Sequence, residues 1–160
     1  MKKIFFLFML IPLIWSCSSD DNGNNDQKKE LVDTKWAPEK VVPVIPLLGE
    51  SEELTQYYPH QAGCDNDYLV FLVQDVMITY LHDASCNVSE QEQNWHKDGS
   101  TMTVEFMGYT ISGEVSGTNS NQMIIESDIS EYAELIGEIY PNVPIPAGSK
   151  IKLYLNKINN

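Results

Sequence analysis

Apolar and polar residues alternate over much of this chain, and that period of two constrains the fold more than any other feature of the sequence. The pattern is clearest in residues 101–106, 109–115 and 151–156, where apolar side chains recur at every second position. A strand with one apolar and one polar face is typical of an antiparallel sheet that covers a core on one side only. The alternation therefore predicts an all-β domain.

Further strands are predicted between these segments, which gives about eight in sequence. The additional predicted strands are 36–42, 68–73, 76–82, 93–97 and 122–126. Asp98-Gly99 suits a tight hairpin turn, and most other connections are short. We expect a single antiparallel up-and-down eight-stranded barrel, because closure of the sheet removes its exposed edges.

Two segments interrupt the strand pattern. Residues 43–67 form a long connection with three prolines, in which we expect one helical turn within 52–58. Residues 129–140 have apolar side chains at helical spacing, so we predict one short helix before the last strand. Asp128 and Glu131 resemble a capping box, and Pro141 would end the helix. Long excursions of this kind are either binding loops or packing appendages.

The N-terminus predicts export. Two lysines precede an apolar run from Ile4 to Trp15, too short for a spanning helix of about 20 residues but typical of a signal peptide. Leu13-Ile14-Trp15-Ser16-Cys17 resembles the lipobox of bacterial lipoproteins. The resemblance implies cleavage after residue 16, acylation of Cys17 and anchoring in the outer membrane. The alternative is an ordinary secretory peptide with an incidental cysteine.

Residues 18–30 contain no apolar side chain, so we predict a disordered tether. A flexible tether of this length has a root-mean-square reach of roughly 20 Å. Ser18-Ser19-Asp20-Asp21 resembles the export signal of Bacteroidetes-type surface lipoproteins, which implies display at the cell surface; otherwise the protein faces the periplasm. The predicted organisation is a signal peptide (1–16), a lipidated cysteine with its tether (17–30) and one barrel domain (31–160).

The chain is strongly acidic. Its formal net charge is −13, it contains no arginine, and removal of residues 1–16 would leave eight lysines against 23 acidic residues, a charge of −15. Such a chain repels nucleic acid and anionic lipid head groups. We therefore expect no nucleic-acid partner, and membrane attachment through the lipid anchor only.

Cys64 and Cys86 remain once Cys17 is assigned to the lipid. If Gln74-Asp75 forms the turn of a hairpin, facing residue numbers sum to 149, and the two cysteines sum to 150. They would then lie nearly opposite each other, at the separation that a disulfide needs. We predict a disulfide; the alternative is a metal site with His60.

Three segments resemble lipocalin-like domains. Leu31–Trp36 resembles the first strand of that family, Trp95–Val104 resembles its central hairpin, and Cys64–Leu69 is similar to paired-cysteine variants on bacterial lipoproteins. The resemblance implies an eight-stranded, cup-like barrel, often suited to small apolar ligands. As fold-level analogy it does not identify a ligand.

The alternation gives a set of candidate ligand-binding residues that would face the interior of the cup: Trp36, Tyr80, Trp95, Met102, Val104, Phe106, Tyr109, Ile111 and Leu153. The alternative is that the same residues form an ordinary filled core. Tyr57, Tyr58 and His60 are candidates for a lid loop over the mouth of the cup.

No catalytic motif occurs, so we expect no enzyme activity and no cofactor. Asp65-Asn66-Asp67 offers oxygen ligands but lacks the remainder of a calcium loop, and no metal site is predicted. The expected function is binding of a small apolar or amphipathic ligand by an outer-membrane lipoprotein. The alternative is a non-catalytic envelope scaffold with a filled interior, whose loops contact a protein or glycan.

Overall fold

The computed structural model describes residues 29–106, 109–132, 137 and 144–159. Ten strands in these residues form one antiparallel sheet. Two of them, β2 (Gly49–Glu50) and β3 (Gln56–Tyr57), are two residues long. The other eight are β1 (Lys35–Ile45), β4 (Tyr68–Phe71), β5 (Val76–His82), β6 (Val88–Asp98), β7 (Thr101–Phe106), β8 (Tyr109–Ser116), β9 (Gln122–Asp128) and β10 (Lys150–Lys157).

The eight longer strands pair in a closed ring. From β4 to β10 each strand pairs with the next, and β1 pairs with both β4 and β10. The predicted all-β, antiparallel fold is confirmed. The contact between β1 and β4 is short: only Lys35 with Val70 and Trp36 with Leu69 are paired. Beyond them, β2 and β3 pair with the same edge of β1.

The ring has two unlike ends. The near end, where β1 begins, carries the turns at 72–75, 99–100 and 117–121. The far end carries the turns at 46–48 and 83–87 and the connection from 129 to 149. At about 3.3 Å per residue, β1 is roughly 35 Å long from the near end to the far end.

The main core fills the ring with the inward-facing side chains of the strands and with Leu31 from the segment before β1. Val32 bridges to Phe71, so this segment covers the near end. The buried members of the main core are Leu31, Trp36, Leu69, Phe71, Met77, Trp95, Met102, Val104, Met123, Ile125, Leu153 and Leu155. Burial of each large apolar side chain stabilises the fold by about 1.5–3 kcal/mol.

A second apolar cluster closes the far end. Ile129, Tyr132 and Ile151 are buried there, packed against half-buried Val41, Leu54, Ile111 and Ile145. The Tyr132 hydroxyl accepts a hydrogen bond from the Ser112 amide at 2.7 Å and donates to the Ser112 carbonyl at 3.1 Å. The residues after β9 are therefore fixed to β8, inside the mouth of the ring.

The interrupting segments match their predictions only in part. The long connection contains the predicted helical turn, as a 3-10 helix at Glu52–Leu54, and also the short strands β2 and β3, which were not predicted. The predicted helix begins as a 3-10 helix at Ile129–Tyr132, where Asp128 accepts hydrogen bonds from the Ser130 amide and hydroxyl. Most of the rest of 129–140 lies outside the described residues, and no helix in the described part is long and apolar enough to span a membrane.

The two buried tryptophans of the main core provide a matched test of packing against hydrogen bonding. The Trp95 indole donates to the Leu72 carbonyl at 3.0 Å, whereas the Trp36 indole N–H has no partner. The absence of a partner for Trp36 holds within the described residues, and both substitutions to phenylalanine remove similar apolar volume. We expect Trp95→Phe to lower the free energy of unfolding by about 1 kcal/mol more than Trp36→Phe, measured by urea denaturation. Equal losses would contradict the described hydrogen bond.

Candidate functional site

The predicted disulfide is confirmed. Cys64 and Cys86 are bonded, with their Cα atoms 5.3 Å apart, which rules out their use as thiolate ligands for a metal. Facing residues of β4 and β5 sum to 148 instead of 149, because the 3-10 turn Val73–Asp75 shifts the register by one residue. The bond joins the long connection to the β5–β6 turn, and closing a loop of 22 residues contributes about 3 kcal/mol.

The residues predicted to bind a ligand mostly form packed core. Trp36, Trp95, Met102 and Val104 are fully buried in the main core, and Leu153 is nearly so. Ile111 is half-buried at its edge. Phe106 pairs with Tyr109 at the ends of β7 and β8, but their side chains lie outside the described residues.

Two small apolar cavities lined by described residues lie beside these side chains. An apolar cavity of about 10 Å³ lies within the main core. Another, of about 60 Å³, lies between the main core and the far-end cluster and is lined by residues that include Val41, Tyr132 and Leu153. A cavity that holds benzene measures roughly 150 Å³. These two spaces do not accommodate a lipid-sized ligand.

Tyr80 lies on the outer face of the sheet, so its predicted inward orientation is wrong. Its ring stacks on Tyr68 of β4, with centroids 4.5 Å apart and planes 17° from parallel. Met77 and Thr79 occupy the inward positions of β5 instead. Both faces of this strand carry apolar residues, so the alternation did not distinguish the inner face from the outer.

A buried lysine that sequence reasoning did not identify also faces the interior. Lys97 follows Trp95 on the inward face of β6, and its ammonium donates to the Gly99 carbonyl at the near end. Burial lowers the pKa of Lys97 below its ordinary value. The only indication in the sequence was that Lys97 lies two residues after Trp95 and therefore on the same face of the strand.

The three predicted lid residues do not lie together in one environment. Tyr57 is exposed, whereas Tyr58 and His60 bind Asp67, a buried acid just before β4. The Tyr58 hydroxyl donates to Asp67 Oδ2 at 3.0 Å, and His60 Nδ1 accepts the Asp67 amide at 3.2 Å. Asp67 Oδ1 lies 2.7 Å from the His82 amide and 3.0 Å from His82 Nδ1. These four residues form the Asp67 cluster.

The electrostatics of the Asp67 cluster fix its proton positions. Burial alone would raise the pKa of Asp67, but the hydrogen bonds from His82 and Tyr58 outweigh it and leave that pKa below its ordinary value. Burial, reinforced by the Asp67 charge, raises the pKa of Tyr58. Because an ionised carboxylate only accepts, Nδ1 of His82 carries a proton, and His60 must be protonated on Nε2 alone to accept at Nδ1.

A carboxylate that orients a histidine resembles the acid–base pair of many hydrolases. Here the His82 and Asp67 side chains are only 6% and 9% exposed, and Asp67 is the sole hydrogen-bond partner of the His82 ring in the described part of the chain. The pair therefore fastens the long connection to the end of β5. Within the same residues, no group of three acidic, histidine or cysteine side chains is placed to hold a metal ion.

The most exposed apolar side chains of the described chain stand together at the far end. Leu47 and Leu48 are 105% and 82% exposed and, with Pro46, form what we call the hydrophobic tip between β1 and β2. The Leu48 amide donates to the Ile45 carbonyl at 3.1 Å, which closes a four-residue turn. This turn was not among the predicted sites, because its composition does not reveal that its side chains are exposed.

Leu47 is strained within that turn. Its φ of 68° lies in the left-handed region, which a turn with proline at its second position normally fills with glycine or asparagine at the third. A left-handed leucine costs about 1–2 kcal/mol relative to ordinary backbone. No packing contact compensates for that cost, since the side chain is fully exposed. Strain of this kind is characteristic of functional positions.

The base of the tip is rigid and acidic. Lys152 and the Tyr154 hydroxyl both donate to Glu50 Oε1 at 2.8 Å. These hydrogen bonds lower the pKa of Glu50, while burial and the same contact raise that of Tyr154 to about 12. Glu52 and Glu53 follow on the exposed 3-10 helix. The tip is thus an apolar knob with carboxylates beside it.

The Asp67 cluster predicts a specific response to acid. Because folding lowers the pKa of Asp67, its stabilising effect is complete above the unfolded value of about 3.9 and is lost as the pH falls through the lower folded value. At pH 7 we expect Asp67→Asn to reduce the free energy of unfolding by about 2 kcal/mol. The deficit should shrink below pH 4, as followed by urea denaturation.

Asp65→Asn is the matched control, since Asp65 is exposed in the same loop. It should leave the stability within about 0.5 kcal/mol of the parent at each pH. An Asp67→Asn deficit that is independent of pH would contradict the assigned role of the carboxylate.

No protein family model matches this chain, and no curated protein or solved structure is significantly similar to it. Its function must therefore be argued from the fold and from the far end of the ring.

Proposed function

We propose that this chain is a non-catalytic, lipid-anchored protein of a bacterial outer membrane that binds a partner protein through the far end of a lipocalin-like, eight-stranded barrel. The main support for this proposal is the distribution of the apolar residues between the interior and the surface. Five of the nine residues expected to line a cup (Trp36, Trp95, Met102, Val104 and Leu153) are packed core, while Leu47 and Leu48 project into solvent. A filled interior favours the scaffold over the ligand-binding cup.

The architecture supports the barrel and the export. Eight strands pair in a ring in sequential order, as in an up-and-down barrel. The Cys64–Cys86 disulfide is typical of proteins outside the reducing cytosol. Lipidation at Cys17 rests on the lipobox resemblance of residues 13–17, which lie outside the described residues.

The point at which the tether joins the domain indicates which surface stays accessible to a partner. A tether from Cys17 joins the domain just before β1, at the near end. The hydrophobic tip follows the other end of β1, roughly 35 Å away. The tip therefore lies at the end of the domain opposite the attachment point, where the tether does not obstruct a partner protein.

The chemistry of the tip defines the kind of partner. A small apolar centre beside charged groups matches the anatomy of protein interfaces, where buried apolar anchors provide most of the affinity and a polar rim excludes water. Glu52 and Glu53, which are exposed beside the tip, would favour a partner pocket that is apolar inside and basic at its rim.

The strained residue provides a stability test of this proposal. Glycine at position 47 relieves the left-handed strain and removes the exposed side chain. We expect Leu47→Gly to raise the free energy of unfolding by up to about 1 kcal/mol while it weakens partner binding. Stability is measured by urea denaturation. A loss of stability would show that Leu47 contributes to folding instead.

Partner contact is tested by a photo-crosslinking amino acid at position 48 in producing cells. We expect one adduct of defined mass, reduced at least fivefold by Leu47→Gly. Val73→Ser is the matched control, because it removes a side chain that is 65% exposed at the near end, and it should leave the adduct unchanged. Absence of an adduct, together with a small molecule released from the purified protein on denaturation in mass spectrometry, would instead support the ligand-binding cup.

A further inference from the structure

The first half of β6 is paired on one side only. Residues Val88–Asn94 pair with β5, whereas the pairing of β6 with β7 begins at Trp95. Along the opposite side of Val88–Gln93, which we call the β6 edge, the described part of the chain, which omits residues 107 and 108 after β7, supplies no backbone hydrogen-bond partner. An unpaired strand edge is a template for a further strand.

The ladder identifies which backbone groups this edge offers. The Asp83 amide donates to the Asn87 carbonyl at 3.0 Å, so this pair is hydrogen-bonded. Bonded pairs recur at every second residue of an antiparallel ladder. Counting from this pair, the amides and carbonyls that point away from β5 belong to Val88, Glu90 and Glu92.

A neighbouring contact supports this phase. Asn94 is the next residue in the same series, and its amide lies 3.4 Å from Glu105 Oε2, on the β7 side. Farther along the strand, Trp95 to Asp98 pair with β7 in the ordinary way. The β6 edge thus continues the β6–β7 ladder beyond the last pair that the described residues of β7 form with it.

The edge is accessible and held in place. Residues 88–92 are exposed on both faces of the strand, so the side chains of an added strand would meet no obstruction from them. The adjoining β5–β6 turn is fixed by the Cys64–Cys86 disulfide and by Asp83, which accepts hydrogen bonds from the Ser85 and Asn87 amides. Little ordering is therefore required on binding.

The charge of the edge identifies its occupant. Glu90 and Glu92 lie along it and Glu105 lies beside it, and none of the three forms an ion pair with another described residue. A second copy of the chain would place glutamates opposite glutamates, and each molecule carries a formal net charge of −13. We propose that the β6 edge binds an extended, lysine- or arginine-rich segment of another protein as an added strand.

The β6 edge and the hydrophobic tip are separate surfaces. Both surfaces belong to the far end of the ring, but β4 and β5 separate β1 from β6 in the sheet order. Strand addition uses backbone groups and carboxylates, whereas the tip uses apolar side chains. Either proposal can fail while the other holds.

The probe is a short extended peptide of alternating lysine and valine or threonine, titrated into the mature protein and followed by fluorescence anisotropy. Its control has the same sequence and charge but carries N-methyl groups on alternate residues, which remove the amides that a ladder needs. We expect saturable binding of the first peptide and at least about tenfold weaker binding of the second. This comparison requires no protein variant.

Two substitutions at one position separate charge from backbone. Glu90→Ala and Glu90→Pro both remove the carboxylate, but only proline removes the outward amide. The Glu90 amide points away from β5, so proline at this position removes no hydrogen bond between β5 and β6. We expect alanine to weaken peptide binding a few-fold, and proline to weaken it by a further factor of about ten. Thermal unfolding verifies that both variants remain folded.

Three results would overturn the proposal. Equal binding of the two peptides would show that only charge attraction operates. Absence of binding at low salt would show that the edge accepts no added strand. A dimer in sedimentation that Glu90→Pro dissociates would show that the occupant is a second copy of the chain.

Discussion

The structure depends on β1 pairing with two strands at once. Its contact with β10 joins residues near the beginning of the domain to the last strand, over eight paired positions from Trp36 to Val44. Its contact with β4 covers only two. This imbalance closes the ring firmly on one side and leaves much of the other edge of β1 without β4. The long connection, through β2 and β3, occupies that edge.

The unusual features of the far end follow from that imbalance. A connection that fills a sheet edge must be fastened to it, and two devices perform this task. The disulfide ties Cys64 to the β5–β6 turn, and the Asp67 cluster ties the same loop to the end of β5. With the loop held in place, the hydrophobic tip and the β6 edge are presented by a rigid support, which limits the entropy lost on binding.

Sequence patterning predicted best the elements that have one buried and one exposed face. β7 and β10 were found because Met102, Val104, Leu153 and similar residues alternate with polar ones. The first half of β6 was missed because both of its faces are exposed. Tyr80 was assigned to the wrong face because both faces of β5 are apolar.

The local sequence pattern also does not predict which residues far apart in the chain come into contact. The disulfide was predictable because two residues that nearly face each other stay within bonding distance when the register is wrong by one. The Asp67 cluster requires three separate segments to meet, and only the folded chain places Tyr58 beside His82. The exposure of Leu47 could not be predicted either, because the same residues could equally form a buried turn.

The acidic character of the chain explains how an unpaired edge can persist. Exposed edges usually lead to self-association, and proteins suppress it by placing charges along them. Glu90 and Glu92 perform this role, and the net charge of −13 adds a general repulsion between copies. The same carboxylates attract a basic strand, over a distance limited to about 8–10 Å by physiological salt. One set of charges therefore excludes one kind of partner and selects another, and the backbone of β6 supplies the affinity that the charges alone do not.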